Sequence, residues 1–248
     1  GEQVVGFETV VGLEIHVELK TESKLFCSCN TKFGAEPNTS CCPVCTGMPG
    51  ALPVVNKKAM ELCITAGLSL NCSINEVLVF DRKNYFYPDL PKGYQISQLY
   101  EPLCKNGFMD LENGKRIRIR EIHLEDDAGK LIHDKYPDKS CCDFNRCGVP
   151  LIEIVTQPDF STAEEVVEFI KELRRILVFL EVSDCKMQEG SMRVDVNLSV
   201  KKSNATELGN RTELKNLNSV RAISDAIKKE AKRQWDVLSN GGNVLCET

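Results

Sequence analysis

From Leu13 to Leu19 the chain alternates apolar and polar residues without a break, and this period of two constrains the fold more than any other stretch. Val10, Val11, Leu13, Ile15, Val17 and Leu19 are apolar, so the segment reads as a strand with one buried face. Glu14, His16 and Glu18 then project together from the other side. Carboxylates and an imidazole in such a row can do acid/base work or hold a hard divalent cation: carboxylate oxygens suit Mg²⁺, and a neutral imidazole completes the shell. A solvated outer face of an ordinary strand is the plainer reading of the same pattern.

Further along, Asn56 can cap a helix to about Leu70, in which Ala59, Leu62, Cys63, Ala66 and Leu70 recur at helical spacing. Short strands and turns fill Val77 to Leu124, with Asn113-Gly114 as a hairpin turn into an alternating strand, 115–125. The phase of that strand changes near Arg120, which calls for a bulge or for a strand covered on both faces. Pro150 to Val155 reads as a buried strand holding one carboxylate, Glu153, and a buried acid needs a partner. Ser161-Thr162-Ala163-Glu164 reads as a capping box opening a helix to about Leu180, with Val166, Ile170, Leu173, Leu177 and Leu180 on one face. A strand over 191–200 places Asp195, Asn197 and Ser199 together; 211–217 reads as another strand and 218–238 as a last helix. Its Lys228, Lys229, Lys232 and Arg233 fit a solvated face better than an RNA contact. Strands with segregated helices predict an α+β domain around a mostly antiparallel sheet, occupying all of 1–248.

At 248 residues the chain can bury a core without staples, and no apolar run reaches the ~18 residues that span a bilayer. The start, Gly1-Glu2-Gln3, has neither a basic nor an apolar leader-like region, so a cytoplasmic location and no membrane partner are expected. The start without Met and the end just after a Gly-Gly turn suggest a piece of something longer. The net charge of −5 repels nucleic acid, so an RNA partner would need a local basic patch or another domain. The cysteines number 13, an odd count in a chain with no export signal, which favours thiols or metal ligands over disulfides. Cys27-Ser28-Cys29 and Cys42-Pro43-Val44-Cys45 form a CxC and CxxC pair suited to a closed structural Zn²⁺ site within a loop over 27–45, and Cys41 can substitute for Cys42. Cys141, Cys142 and Cys147 lack a fourth partner and read as free thiols.

Nucleotide signatures of the P-loop and G-x-G-x-x-G types are missing. What remains is a set of strand-borne groups: Glu14, His16, Glu125, Asp126, Asp127, Glu153, Glu189 and Asp195. ATP can be held without a P-loop through Mg²⁺ on such carboxylates, with Lys130, Lys186 and Arg193 bracing the phosphate oxygens. Asp81 to Asp89, polar and aromatic, is either a pinned loop or a substrate wall.

Several segments together carry a resemblance: 11–19 (VGLEIHVEL), 33–38 (FGAEPN), 81–89 (DRKNYFYPD), 123–130 (HLEDDAGK), 150–155 (PLIEIV) and 213–219 (ELKNLNS). In order and through essentially the whole chain, they closely resemble GatB, the B-subunit family of the aspartyl/glutamyl-tRNA amidotransferases. The archaeal GatE family shares several of them, but Val17-Glu18-Leu19 after the histidine looks more like GatB. The resemblance implies a cradle-shaped catalytic domain similar to glutamine synthetase and guanido kinases, without the helical and tRNA-gripping tail domains that follow it in the family. It also implies ATP- and Mg²⁺-dependent phosphorylation of the side-chain carboxylate of Glu-tRNA(Gln) or Asp-tRNA(Asn). Amidation would follow, with ammonia from the glutaminase (GatA-type) subunit, in a complex that also contains the small GatC-type subunit.

Carried over position by position, Glu14, His16, Glu125 and Glu153 would serve the Mg²⁺ and phosphate chemistry, with His16, Glu125 and Glu153 as the magnesium ligands. Asp126 and Asp195 come second, and Lys130, Lys186 and Arg193 would neutralise phosphate charge. Cys27, Cys29, Cys42 and Cys45 match the zinc-bearing variant of the family. Two other classes compete: a non-catalytic, zinc-stabilised RNA-binding or assembly module, and an ATP-dependent ligase or kinase acting on a free metabolite. The many strand-borne acids and the lack of a basic stripe favour the enzyme.

Overall fold

A computed structural model describes residues 6–248. Its elements run β1 (Phe7–Glu18), α1 (Lys57–Ser69), β2 (Ser73–Ile74), β3 (Asp81–Asn84), β4 (Tyr94–Ser97), β5 (Cys104–Asp110), β6 (Arg116–Asp126), β7 (Lys130–Tyr136), β8 (Lys139–Asp143), β9 (Pro150–Thr156), α2 (Ala163–Phe179), β10 (Met192–Lys202), β11 (Thr212–Leu217) and α3 (Val220–Ser239). Seven strands form one sheet in the order β11-β10-β1-β9-β6-β5-β2, and each neighbouring pair is antiparallel. The α+β expectation holds.

The alternation in β1 sets the two faces of this sheet. Val11, Leu13, Ile15 and Val17 are buried, and so are Ile152 and Ile154 on β9 and Val194 and Val196 on β10. Val166, Ile170, Leu173 and Leu177 of α2 join them in one core, together with Ile223 and Ile227 of α3. Each such side chain contributes about 1.5–3 kcal/mol by leaving water. Sheet residues of the opposite parity have no helix over them among the described residues and are mostly polar, Leu151 and Val155 of β9 being apolar exceptions.

In β6 the ladder to β9 shifts register between Ile119 and Glu121. That bulge moves the apolar phase from Ile117 and Ile119 to Ile122 and Leu124, so both runs reach the same core. It also turns His123 and Glu125 onto the open face.

The helix starts differ from the sequence reading at one point. Thr162 caps α2 by accepting the Glu165 N–H at 3.2 Å, and the Glu165 carboxylate accepts the Ser161 N–H at 2.7 Å. Glu165, rather than Glu164, therefore closes the box, because Thr162 and not Ser161 holds the cap position. Asn56 caps α1 and Ser219 caps α3. At the β5–β6 turn Gly114 has φ +81° and the Leu111 N–H bonds to Lys115 O, which makes a three-residue loop closed by a left-handed glycine.

Candidate active site

Antiparallel register lines the open face in rungs, since directly opposed residues point the same way. His123 on β6 faces Glu153 on β9, Glu153 faces His16 on β1, and His16 faces Arg193 on β10. One rung away, Glu14 lies opposite Asp195; on the other side, Leu151 stands between Glu18 and Glu125. Residues far apart in sequence thus meet because the strands alternate in phase with one another.

The centre of the face is His16, Glu125 and Glu153, which can each offer a ligand atom with all three within 4.8 Å of one another. His16 Nε2 is 3.3 Å from Glu125 Oε1 and 3.7 Å from Glu153 Oε2. His123 Nε2 lies 2.6 Å from Glu153 Oε2 and 3.5 Å from Glu125 Oε2. Burial alone would lower both imidazole pKa values, but the facing carboxylates more than reverse this: His16 is raised, and His123 is pushed up to about 10. Burial opposes ionisation of Glu125 and Glu153 as well, and the imidazoles hold both below the usual carboxylate range. Glu125 Oε1 is buried and accepts no well-directed hydrogen bond, its nearest polar neighbour being His16 Nε2 at 3.3 Å. A buried carboxylate oxygen without a well-directed hydrogen bond, beside a second carboxylate and an imidazole, fits an oxygen-preferring divalent cation such as Mg²⁺.

A second group, Glu14, Asp195 and Glu213, lies next along the face, also within 4.8 Å. Lys215 Nζ stands 3.6 Å from Asp195 and 3.4 Å from Glu213. Burial, then the charges of Glu153, Glu213 and Asp195, raise the Glu14 pKa. On the other flank Arg193 donates from Nη2 to buried Asp127 at 2.7 Å, and Arg146 Nε lies 3.5 Å from the same oxygen. Glu18 is pushed up to about 8 by burial and then by Asp127. The β3–β4 hairpin borders this region: Ser97 Oγ donates to Glu125 at 3.2 Å, and burial followed by the charges of Asp89, Glu125 and Asp127 raises Tyr85.

The sulfurs of Cys27, Cys29, Cys42 and Cys45 also converge within 4.8 Å of one another. Cys41 points elsewhere, its Sγ donating to Asn38 O at 3.4 Å. Behind the cluster Lys24, 1% exposed, directs Nζ at Ser40 O (2.7 Å), Phe144 O (3.3 Å) and Cys45 Sγ (3.4 Å). A buried ammonium needs an anion. The hydrogen bond from Cys27, then the Cys42 N–H and the Lys24 charge, pull the Cys45 thiol down to about 4 despite its burial. Soft thiolates in a closed set of four fit a structural Zn²⁺. Cys142 and buried Cys147 instead donate to the carbonyls of Pro88 and Cys45.

Of the residues singled out in the sequence, Glu14, His16, Glu125, Glu153, Asp195 and Arg193 therefore share one face. Asp126 does not. It follows Glu125 on a strand and so points the opposite way, where it is buried against the Lys92 ammonium and accepts the Ile96 N–H at 2.9 Å. Lys186 pairs with Glu189 at 3.7 Å, and exposed Lys130 opens β7 opposite Asp143; neither reaches the carboxylate groups. Glu18 and Asp127, which the sequence reading placed among the candidate acids, also lie on the face, and His123, Arg146 and Glu213, to which it assigned no role in the chemistry, complete it. Glu121, His123 and Glu125 do alternate on one strand, and that period was the available signal for His123.

The fold and the face together define an α+β domain that covers one side of its sheet with helices and leaves the other as an acidic surface suited to cations and phosphates. The family described as GatB/GatE catalytic domain matches residues 9–248, and the chain belongs to that family. It is 62% identical over 245 residues to the B subunit of the aspartyl/glutamyl-tRNA(Asn/Gln) amidotransferase of Caldicellulosiruptor bescii, covering 98% of this chain and 51% of that protein. The protein of the same name from Lachnoclostridium phytofermentans is 58% identical over 245 residues, with the same coverage of both chains. The chain spans about half the length of the curated relatives it matches.

Proposed function

We propose that this chain is the ATP-using half-reaction domain of a tRNA-dependent amidotransferase. In this reading it phosphorylates the side-chain carboxylate of Glu-tRNA(Gln), Asp-tRNA(Asn) or both, and the activated carbonyl is then amidated. The observation that carries the reading is the His16, Glu125 and Glu153 group on an open sheet face, with Glu125 Oε1 buried and accepting no well-directed hydrogen bond. The relatives' names supply the tRNA-linked substrate class.

A carboxylate is a poor electrophile until one oxygen becomes a good leaving group. The substrate oxygen attacks the γ-phosphorus, the bond to the β-phosphate oxygen breaks, and ADP leaves with an acyl phosphate behind. Ammonia then adds to the acyl carbon, the C–O bond to phosphate breaks, and amide, inorganic phosphate and a proton result. His16, Glu125 and Glu153 would hold Mg²⁺, which supplies charge neutralisation for the phosphates, and Glu14, Asp195 and Glu213 offer a second oxygen-rich position. Arg193, held by Asp127, offers a cation at the end of the central rung. Asp127 in turn is protected from solvent, accepts the Arg193 guanidinium and has Arg146 Nε 3.5 Å away, so the Arg193 guanidinium is placed before substrate arrives.

Cys27, Cys29, Cys42 and Cys45 would hold a structural Zn²⁺ that stiffens the loop. In this account ammonia comes from a glutaminase (GatA-type) subunit, in a complex with a small GatC-type subunit, in the cytoplasm.

The test is ATP cleavage by the complete GatB-type protein, assembled with its glutaminase partner and given ammonia and mischarged tRNA, for wild type and Glu125→Gln. Cleavage that requires mischarged tRNA and falls at least ~100-fold in the variant supports the reading. Cleavage unaffected by the substitution removes Glu125 from the site. Turnover without tRNA supports a free-metabolite ligase, and no cleavage by wild type supports an assembly module.

A further inference from the structure

A lysine inside a protein gives up the hydration of its ammonium, and it persists there beside compensating charge. Lys24 is such a residue, 1% exposed, and its Nζ meets two carbonyl oxygens, Ser40 O and Phe144 O, and one group able to carry negative charge, Cys45 Sγ. The charge that keeps Lys24 inside is therefore a thiolate.

The same lysine stands where the cysteine loop meets the open face. Leu25, the next residue, donates its N–H to Gly148 O, and Gly148 donates its N–H to Asp127 O, both at 2.9 Å. Gly148 has φ +87°, and a Cβ there would stand 3.2 Å from Cys45 Cβ and 3.4 Å from Lys24 Cδ, so the loop packs directly on the backbone that leads into β9. On the other side a Cβ at Gly47 would meet Lys92 Cγ at 2.5 Å, and Lys92 is the ion-pair partner of Asp126. The turn that carries Cys42 and Cys45 is thus wedged between the supports of Asp126 and Asp127.

Solvent reaches the sulfurs from outside. An open groove of about 520 Å³ borders them, lined by Phe26, Cys27, Cys42, Val44 and Val54. Cys27 and Cys42 are half-buried there, whereas Cys45 is buried. Cys27 shares a hydrogen bond with Cys45, and Cys29 with Cys42, so sulfur contacts run between the CxC and the CxxC.

We infer that this loop is a redox-sensitive switch: oxidation of Cys27 and Cys45 to a disulfide by a peroxide removes the charge that holds Lys24 inside, and the departure of Lys24 loosens the backbone that seats Asp127 and, through it, Arg193. The Cys27 thiolate attacks one oxygen of hydrogen peroxide, the O–O bond breaks, and the leaving hydroxide takes a proton to become water. The Cys45 thiolate then attacks the sulfenic acid; the S–S bond forms, the S–O bond breaks, and a second proton gives a second water. Two electrons pass from the sulfurs to the peroxide. With only Cys29 and Cys42 left as thiolates, the set no longer closes a tetrahedron and Zn²⁺ is released.

The inference rests on the thiolate site and not on the ATP-using reading. Its test titrates the complete GatB-type protein, saturated with Zn²⁺, with hydrogen peroxide. Zinc release is followed with a chromophoric chelator, disulfides by mass analysis of peptides, and backbone hydrogen exchange over residues 124–149. Wild type is expected to release its zinc as the Cys27–Cys45 disulfide appears, and exchange over 124–149 is expected to quicken at least ~100-fold, the equivalent of one stranded buried charge. Dithiothreitol with Zn²⁺ restores both. Lys24→Met has no buried charge to expel, so its zinc leaves on oxidation while exchange over 124–149 stays slow. Zinc retained while disulfides form elsewhere, or zinc lost with wild-type exchange unchanged, overturns the switch, and the wild-type result decides this even if the variant fails to fold. Exchange that quickens equally in folded Lys24→Met overturns the part assigned to Lys24. If wild type binds no zinc, the switch falls with the thiolate site and the ATP-using reading is untouched.

Discussion

Glu125 and Asp126 are neighbours in sequence with opposite fates, because consecutive residues of β6 point to opposite faces. Glu125 faces imidazoles and an open surface, whereas Asp126 is locked against Lys92 under the β3–β4 hairpin. Asp126→Asn is expected to destabilise the fold by about 3–5 kcal/mol, since it strands a buried ammonium. Urea unfolding checks this, and an unchanged midpoint would contradict the structural role. Lys24 is a comparable case on the thiolate side. Lys24→Met removes the cation facing Cys45, and zinc affinity measured by competition with a chromophoric chelator is expected to fall about 10–100-fold. The four thiols were legible as one group from their local spacing, and His16, Glu125 and Glu153 as a group only through the family resemblance; the wider grouping of the acids was not legible. Glu213 joins Glu14 only through the order β11-β10-β1, and Asp127 meets Arg193 across a long sequence separation; these are facts of register that no single strand encodes.

At the scale of elements, the alternation of β1 and the caps of the helices were legible because each is a local property. The cap of α2 was displaced by one residue, since Ser161 and Thr162 are equally good caps by type and only the turn geometry distinguishes them. Thr162→Ala is expected to cost about 1 kcal/mol, and Ser161→Ala is not expected to remove the cap bond; their unfolding midpoints decide. The loop from β9 to α2 is pinned by Asp159, whose carboxylate accepts the Arg118 backbone N–H at 2.9 Å and the guanidinium at 2.7 and 3.0 Å. Burial opposes the Asp159 charge, but Arg118 outweighs it and the pKa is lowered from 3.8. With the folded value depressed, the stabilisation is complete above the unfolded pKa and is lost as pH falls through the folded one. Asp159→Asn is therefore expected to cost ~1 kcal/mol at neutral pH, kept small by the exposure of Arg118, and nothing in strong acid. An equal deficit at both pH values would contradict the pairing.

Across the whole molecule, one sheet separates two kinds of chemistry. Its helix-covered side is an apolar core, and its open side gathers acids, imidazoles and a guanidinium. The cysteine loop joins the two through backbone: Leu25 N–H bonds to Gly148 O at 2.9 Å, and Gly148 N–H to Asp127 O at 2.9 Å, so the loop reaches the residue that holds Arg193. Stripping zinc with a strong chelator is expected to lower the melting temperature by several degrees, with recovery on adding Zn²⁺ but not Mg²⁺. Recovery with Mg²⁺ alone would contradict a thiolate site.

If the face activates a carboxylate by phosphorylating it, one carboxylate oxygen passes to phosphate, and oxygen tracing follows that transfer. Glu-tRNA(Gln) carrying ¹⁸O in its side-chain carboxylate is turned over by the assembled enzyme with ATP and ammonia, and the released inorganic phosphate is analysed by mass. Because the attacking carboxylate oxygen becomes the bridge of the acyl phosphate and leaves with phosphorus, one ¹⁸O is expected in each phosphate formed. Phosphate with no ¹⁸O above background, alongside normal amide formation, would contradict it.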